Sequence, residues 1–336
     1  MPTIRLVDTD VAFECATSDT ITRAGLRAGI ALPYECNTGA CGTCKMELVS
    51  GEIESLRPDA PALTDRDRAK RRVLGCQAQP RSDCAIKTRI DPATGVVRPP
   101  STTRAALVRT RDITHDIREF SFALPTRKPF LPGQYALLHL PGVSTVRAYS
   151  MSNIDGEPVW EFQIKRVPSG LATSILFDRL ALGAGVVIDG PYGNAYLRID
   201  VARDLVAIAG GSGIAPIMSI ARGMADAAAL ASRHLQVFYG GRRPADLCGQ
   251  DLLGALPALA GRFTYIPVIS CPEDRESRGW TGLTGFVHEA VGATLPQPLA
   301  QFEYYFAGPP AMTLAVQRML FDAKVPAGQI HFDQFY

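Results

Sequence analysis

Residues 33–47 read PYECNTGACGTCKME, with three cysteines inside nine positions. No other stretch restricts the backbone as tightly, because the sulfurs of Cys36, Cys41 and Cys44 converge only if the chain wraps back on itself within one short loop. A fourth cysteine, Cys76, follows far downstream. A disulfide staple, a zinc knuckle, a redox dithiol and an iron–sulfur cluster all use such groups. Structural zinc sites normally draw on two paired knuckles. Here three ligands share one loop and the fourth arrives alone, which is the plant-type [2Fe–2S] spacing. The small residues Gly39, Ala40, Gly42 and Thr43 let the backbone approach closely and aim N–H groups at sulfur. The loop reads as exposed, so that a partner could collect an electron there. A cluster of this kind passes one electron at a time, and the rest of the chain must say where electrons enter.

A chain of 336 residues is too long for one growing core, so two or three domains are expected. Its 46% hydrophobic and 20% charged residues suit an ordinary globular protein. A net charge of +2 offers no basic stripe for nucleic acid or for an anionic membrane. The run RDRAKRR, residues 66–72, is interleaved with Asp65 and Asp67 and reads as the solvated face of a short helix. The opening MPTIRLVDTDVAF lacks the basic and apolar regions of a secretory signal. Leu205–Ala221 is uncharged, but it contains Gly-Gly-Ser-Gly and a proline and is too short for a membrane span. A cytoplasmic monomer is expected, in which thiols stay reduced. Cys15, Cys84, Cys248 and Cys271 then read as small buried apolar residues.

Three rhythms divide the chain. Residues 1–91 carry short elements: a hairpin from IRLV and VAFECA, a helix over TITRAGLRAGI, then the cysteine loop, KMELVSGEI and a late strand AIKTRI. Residues 92–103 are rich in Pro, Gly, Ser and Thr and read as a linker. Over 104–200 many short strands and one helix, LATSILFDRL, suggest an antiparallel barrel. From 201 to 336, strands DLVAIAG, LQVFYGG, FTYIPVI and YYFAG alternate with helical runs, the pattern of an α/β parallel sheet.

The barrel segment carries Arg147-Ala148-Tyr149-Ser150 on a strand, so Arg147 and Tyr149 share one side and Ser150 takes the other. An arginine beside an aromatic ring suits an anionic, planar ligand, although alone the tetrapeptide could be an ordinary exposed strand. Lys165 precedes Pro168-Ser169-Gly170-Leu171-Ala172-Thr173, where a glycine turn opens a helix and offers free N–H groups to a pyrophosphate. Gly190-Pro191-Tyr192-Gly193 follows. In the last segment, Gly210-Gly211-Ser212-Gly213-Ile214-Ala215-Pro216 joins a strand to a helix. Its glycines permit close approach to a phosphate, and its proline fits a first helical turn.

In this order the motifs resemble the ferredoxin–NADP reductase superfamily, with its R-x-Y-[ST], G-x-x-S, G-G-x-G-x-x-P and C-G-P-P-x-M sequences. The resemblance implies a β-grasp [2Fe–2S] ferredoxin domain (α+β), an antiparallel β-barrel FAD domain and an α/β parallel-sheet NAD domain. It implies cluster ligation by Cys36, Cys41, Cys44 and Cys76. Arg147 would hold FAD phosphate, Tyr149 would contact the flavin ring or its ribityl side, Ser150 would approach flavin N5, and Gly170 to Thr173, with Lys165 upstream, would hold the pyrophosphate. Gly210, Gly211, Gly213, Pro216 and Arg242 would bind the nucleotide, with Gly308 and Pro309 beside the nicotinamide. Thr173 replaces the usual serine, and Ala307 the usual cysteine of the Gly-Pro-Pro turn. From the terminal IHFDQFY, Phe335 would lie against the flavin, with Tyr336 as the other candidate; a last buried strand is the plainer reading.

Taken whole, the chain resembles the reductase components of bacterial multicomponent aromatic-ring oxygenases. Similarity to the toluene 4-monooxygenase type rests on PYECNTGACGTCK, RPDAP, DGPYG and AGGSGIAP; THDIREF and FQIKRVPSG also match naphthalene- and salicylate-type systems. The implied path runs from NADH to FAD, then by single electrons through the cluster to a terminal oxygenase or its ferredoxin. A flavin is needed because hydride carries two electrons and the cluster takes one. The same path could serve a deoxysugar dehydratase or a P450, and NADPH could replace NADH because Arg242 and Arg243 could grip a 2′-phosphate. His331-x-Asp333 lacks a following histidine for an iron triad, and Asp112-x-x-His115 reads as a structural turn, so no oxygen-activating metal is expected.

Overall fold

The computed structural model describes residues 1–90, 96–156 and 158–336. Two compact units emerge. One comprises Met1–Thr102 with Leu137–Ala148 and Ile188–Tyr192; the other comprises Thr103–Ala136, Tyr149–Val187 and Gly193–Tyr336.

The N-terminal segment forms β1 (Thr3–Leu6), β2 (Ala12–Glu14), α1 (Ile21–Arg27), β3 (Lys45–Ser50), β4 (Ile53–Ser55), α2 (Asp65–Ala69), β5 (Arg72–Leu74), β6 (Ala78–Pro80) and β7 (Cys84–Lys87). The expected hairpin is present, turning through Asp8 at a left-handed φ of 66°. The five-stranded sheet runs β2-β1-β7-β3-β5, with β1 parallel to β7, and β4 pairs with β6. Alternate residues Ile4 and Leu6 of β1 and Met46 and Leu48 of β3 face inward, onto Ile21 and Ala24 of α1. This is the β-grasp arrangement. Helix α2 lies within the arginine-rich run and starts at a reciprocal Thr64–Asp67 capping box.

The barrel segment contains β8 (Ser101–Asp112), β9 (Ile117–Ala123), β10 (Tyr135–His139), β11 (Arg147–Ser150), β12 (Val159–Lys165), α3 (Leu171–Asp178) and β13 (Gly185–Tyr192). Their order is β11-β10-β13-β8-β9-β12, and a bridge from Met151 to Phe162 nearly closes the ring. Phe120, Phe122, Trp160 and Phe162 fill its interior. Strand β8 begins at Ser101, within the segment read as a linker; residues 92–95 of that segment lie outside the described residues.

The C-terminal segment alternates β14 (Asp204–Gly210), α4 (Ile214–Asp226), β15 (Leu235–Gly241), α5 (Gln250–Gly254), β16 (Phe263–Ile269), β17 (Leu283–Thr284), α6 (Val287–Thr294), β18 (Phe302–Gly308), α7 (Pro310–Asp322) and β19 (Ile330–Gln334). All pairs are parallel, in the order β17-β16-β15-β14-β18-β19. Each face buries its own core, one under α4 and the other under α6 and α7. The uncharged Leu205–Ala221 is β14, a tight turn and the start of α4. Among the described residues no helix is long and apolar enough to cross a membrane. Strand order reverses at β14, whose neighbours are β15 and β18; in open parallel sheets ligands bind outside the carboxyl ends at such a point.

Candidate redox-active sites

The cysteine loop between α1 and β3 is irregular and turns through left-handed residues Asn37, Gly39 and Gly42, at φ 54°, 82° and 82°. That backbone folds amides onto sulfur: Thr38 N–H donates to Cys36 Sγ at 3.5 Å and Cys41 N–H at 3.4 Å. The Cys41 thiol lies near enough to act on Cys36, and the Cys44 thiol on Cys76. Cys36 is held well below the usual thiol range, first by the Cys41 thiol and then by Thr38, against the opposing effect of burial. Cys76 is lowered by the Cys44 thiol, with help from Gln77, whose Nε2 lies 3.4 Å from its sulfur. One member of each pair thus favours the thiolate. Four neighbouring thiols, with backbone N–H groups on Cys36 and the Gln77 amide on Cys76, fit a two-iron cluster, and Cys36, Cys41, Cys44 and Cys76 would hold it.

The loop is less open than its composition suggested. Cys36, Cys44 and Cys76 are only 9%, 2% and 0% exposed, and within Glu35–Cys44 only Thr43 is fully exposed. The cause is a brace that the cysteine spacing did not reveal. Arg23 of α1 and Gln77 both donate to the Asn37 carbonyl, each at 3.2 Å. Gly75 N–H reaches the Cys44 carbonyl and Thr22 N–H the Gly75 carbonyl, both at 3.0 Å.

On β11, the half-buried Arg147 donates to the carbonyls of Thr145 at 3.3 Å and Val146 at 3.1 Å, and to the Thr145 hydroxyl. Tyr149 is half-buried and Ser150 is buried on the opposite side, as alternation requires. Lys165 ends β12 and pairs with Asp116. Gly170 caps α3 without a side chain, leaving the helix N-terminus uncovered. Thr173 turns its hydroxyl back into the loop, accepting from Val167 N–H at 3.2 Å and donating to the Val167 and Gly170 carbonyls. It shapes the turn that leads into α3. An arginine on a strand suits an anionic group, and an open helix N-terminus, taken by itself, suits a phosphate.

At the carboxyl ends of β14 and β18 the two glycine turns touch. A methyl group at Gly213 would lie 2.0 Å from the Ala307 carbonyl oxygen, and one at Gly210 would lie 2.8 Å from Met312 Sδ. Gly308 packs on Gly210 in turn, at a φ of 151° open to glycine. The buried Tyr239 donates to the Gly211 carbonyl at 2.9 Å, and Gly211 faces Lys165. Pro216 lies in the first turn of α4. Phe335 N–H donates to the Gly308 carbonyl at 3.0 Å, so the terminal aromatic is joined by backbone to the Gly-Pro-Pro turn; Tyr336 is 60% exposed.

The two arginines after β15 differ. Asp246 accepts the backbone N–H groups of Arg242 at 3.1 Å and Arg243 at 2.9 Å. The Arg243 guanidinium pairs with Asp274 and lies 3.6 Å from Glu276. No ion pair on Arg242 occurs among the described residues. His115, read as part of a structural turn, reaches Asp116 and Asp246, each at 3.6 Å. These ligands lie within 4.8 Å of one another, but the Lys165 ammonium on Asp116 already supplies the positive charge.

Three domain families match the chain: a 2Fe–2S iron–sulfur cluster binding domain over residues 4–81, an oxidoreductase FAD-binding domain over 104–196 and an oxidoreductase NAD-binding domain over 207–318. The chain is 39% identical to the ferredoxin–NAD(P)(+) reductase CarAd of Metapseudomonas resinovorans, across 96% of each protein. It belongs to the ferredoxin–NAD(P) reductases of multicomponent oxygenase systems. Identity to the ferredoxin–NAD(+) reductase component of the Xanthobacter autotrophicus alkene monooxygenase system is 38%, over 96% of this chain and 98% of the relative. Among solved structures, the ferredoxin reductase in carbazole 1,9a-dioxygenase superposes with a TM-score of 0.90 at 34% identity, covering 100% of this chain and 98% of that one. The Amycolatopsis cytochrome P450 reductase GcoB superposes at 0.85 and 30%, covering 100% and 99%. This reductase is therefore an NAD(P)H-dependent flavin iron–sulfur oxidoreductase.

Proposed function

We propose that this reductase takes hydride from NADH at the β14–β18 crevice and delivers single electrons to a terminal oxygenase of aromatic-hydrocarbon catabolism, or to that oxygenase's ferredoxin, as a cytoplasmic monomer. When bound, the flavin supplies the conversion between a two-electron donor and the one-electron cluster. Arg147, Tyr149, Ser150, Lys165, Gly170 and Thr173 hold the flavin dinucleotide. Gly210, Gly211, Gly213, Pro216, Arg242, Gly308 and Pro309 hold the nicotinamide nucleotide, and Ser150 and Phe335 flank the reacting ring. The cluster domain spans 1–91, the flavin domain 104–200 and the nucleotide domain 201–336, with 92–103 as a linker whose last residues enter β8. The observation that carries this reading is full-length similarity to reductases of oxygenase systems. The likeness to GcoB favours a P450 as the second class of acceptor.

Asp274 and Glu276 already engage Arg243, one of the two arginines that could grip a 2′-phosphate, which supports NADH over NADPH; comparing kcat/KM for the two nucleotides checks this. The central test is anaerobic. NADH should bleach flavin and cluster bands together, and adding the oxidised oxygenase should restore both. A cluster band that persists under excess NADH would overturn the reading.

A further inference from the structure

The first compact unit joins the ferredoxin segment to barrel residues Leu137–Ala148 and Ile188–Tyr192, and one side chain stands at that junction. Arg27, the last residue of α1, donates to three places at once. Nη1 reaches Asp19 Oδ2 at 2.7 Å, while Nη2 reaches Asp189 Oδ2 of β13 at 2.6 Å and the Thr102 hydroxyl at 3.3 Å. The Asp189 side chain is only 3% exposed, and its Oδ1 finds no hydrogen-bond partner among the described residues. The buried Tyr192 hydroxyl donates to Oδ2 at 2.9 Å. The Tyr192 ring meets Tyr34 edge-on, with centroids 6.1 Å apart. Tyr34 lies two residues before the cluster ligand Cys36.

A buried carboxylate with so few partners is costly to leave without its cation. A guanidinium fork that holds helix end, barrel strand and linker end together fixes orientation better than a single contact could. We infer that Arg27 is a positioning residue: paired with Asp189, it seats the cluster domain on β13 so that the Tyr192–Tyr34 edge faces the cluster loop during the internal one-electron step. No bond forms or breaks at Arg27. The inference rests on the electron path proposed above.

The test uses the full-length, cofactor-loaded protein and Arg27→Ala, with NADH as donor. Cytochrome c reduction, which draws on the cluster, should fall by about tenfold, while ferricyanide reduction at the flavin stays within about twofold of wild type. Hydrogen–deuterium exchange should rise at residues 34–44 and 188–192. The charge-exchanged pair Arg27→Asp with Asp189→Arg should recover much of the cytochrome c rate and the protection. Tyr34→Leu, which leaves every charge in place, should show the same split at smaller size. Unchanged cytochrome c reduction and exchange in Arg27→Ala would overturn the inference, and so would an equal fall in both activities. A wild-type protein that reduces ferricyanide but never cytochrome c would instead overturn the electron path itself.

Discussion

The cysteine loop and the glycine crevice at β14 and β18 are built by opposite means. Around Cys36, Cys41, Cys44 and Cys76 the side chains carry the chemistry, and the backbone turns so that amides reach sulfur. At Gly210, Gly213 and Gly308 the missing side chains matter, because two turns from separate strands close to distances that a methyl group would violate. A site built from ligand atoms should fail by losing its ligand. One built from backbone approach should fail by misplacing it.

The largest expected effect comes from Cys76→Ser. The cluster's visible absorption should vanish and cytochrome c reduction fall about 100-fold, with ferricyanide reduction preserved, because a lost thiolate removes the metal outright. Retention of the spectrum would remove Cys76 from the ligand set. Gly213→Ala should act differently. Its new methyl meets the Ala307 carbonyl at 2.0 Å, so backbone must move. NADH kcat/KM should fall about tenfold, while flavin and iron contents stay full. A loss of flavin in that variant would break the comparison by showing that the glycine turns brace the whole protein.

The smallest effect sharpens the ferredoxin side. Buried Asp67 caps α2, pairs with Lys45 directly after Cys44, and also takes Arg72. Lys45 first, then Thr64, hold its carboxyl well below the usual carboxylate range. A depressed folded-state pKa stabilises above the unfolded value of 3.8 and is lost as pH falls through the folded value. Asp67→Asn should therefore lower the temperature at which cluster absorption is lost by about 3 °C at pH 7. The gap to wild type should close as pH drops below that unfolded value. A constant gap across pH would assign the effect to packing rather than charge.

The same contrast explains what could be read from the chain. The gathering of the four cysteines was legible because three of them lie on one continuous loop, where spacing is geometry. The glycine turns were legible because only glycine tolerates such approach, and the strand rhythm announced both the barrel and the parallel sheet. Other features depend on distant partners. Arg27 and Asp189 lie 162 positions apart and Arg243 and Asp274 thirty-one, and no local pattern joins them. Burial of the cysteine loop followed from Arg23 and Gln77, each ordinary in its own segment. Arg243 had looked free for a phosphate because its acidic partners come from another loop.

Cys76 has no exposed surface, and Gly75 directly before it is tied to Thr22 of α1 and to the Cys44 carbonyl. Iron and sulfide added to the folded, cluster-free chain should therefore reach that sulfur only when the segment around Gly75 opens, so the rate of cluster reconstitution is expected to follow hydrogen–deuterium exchange at residues 74–77.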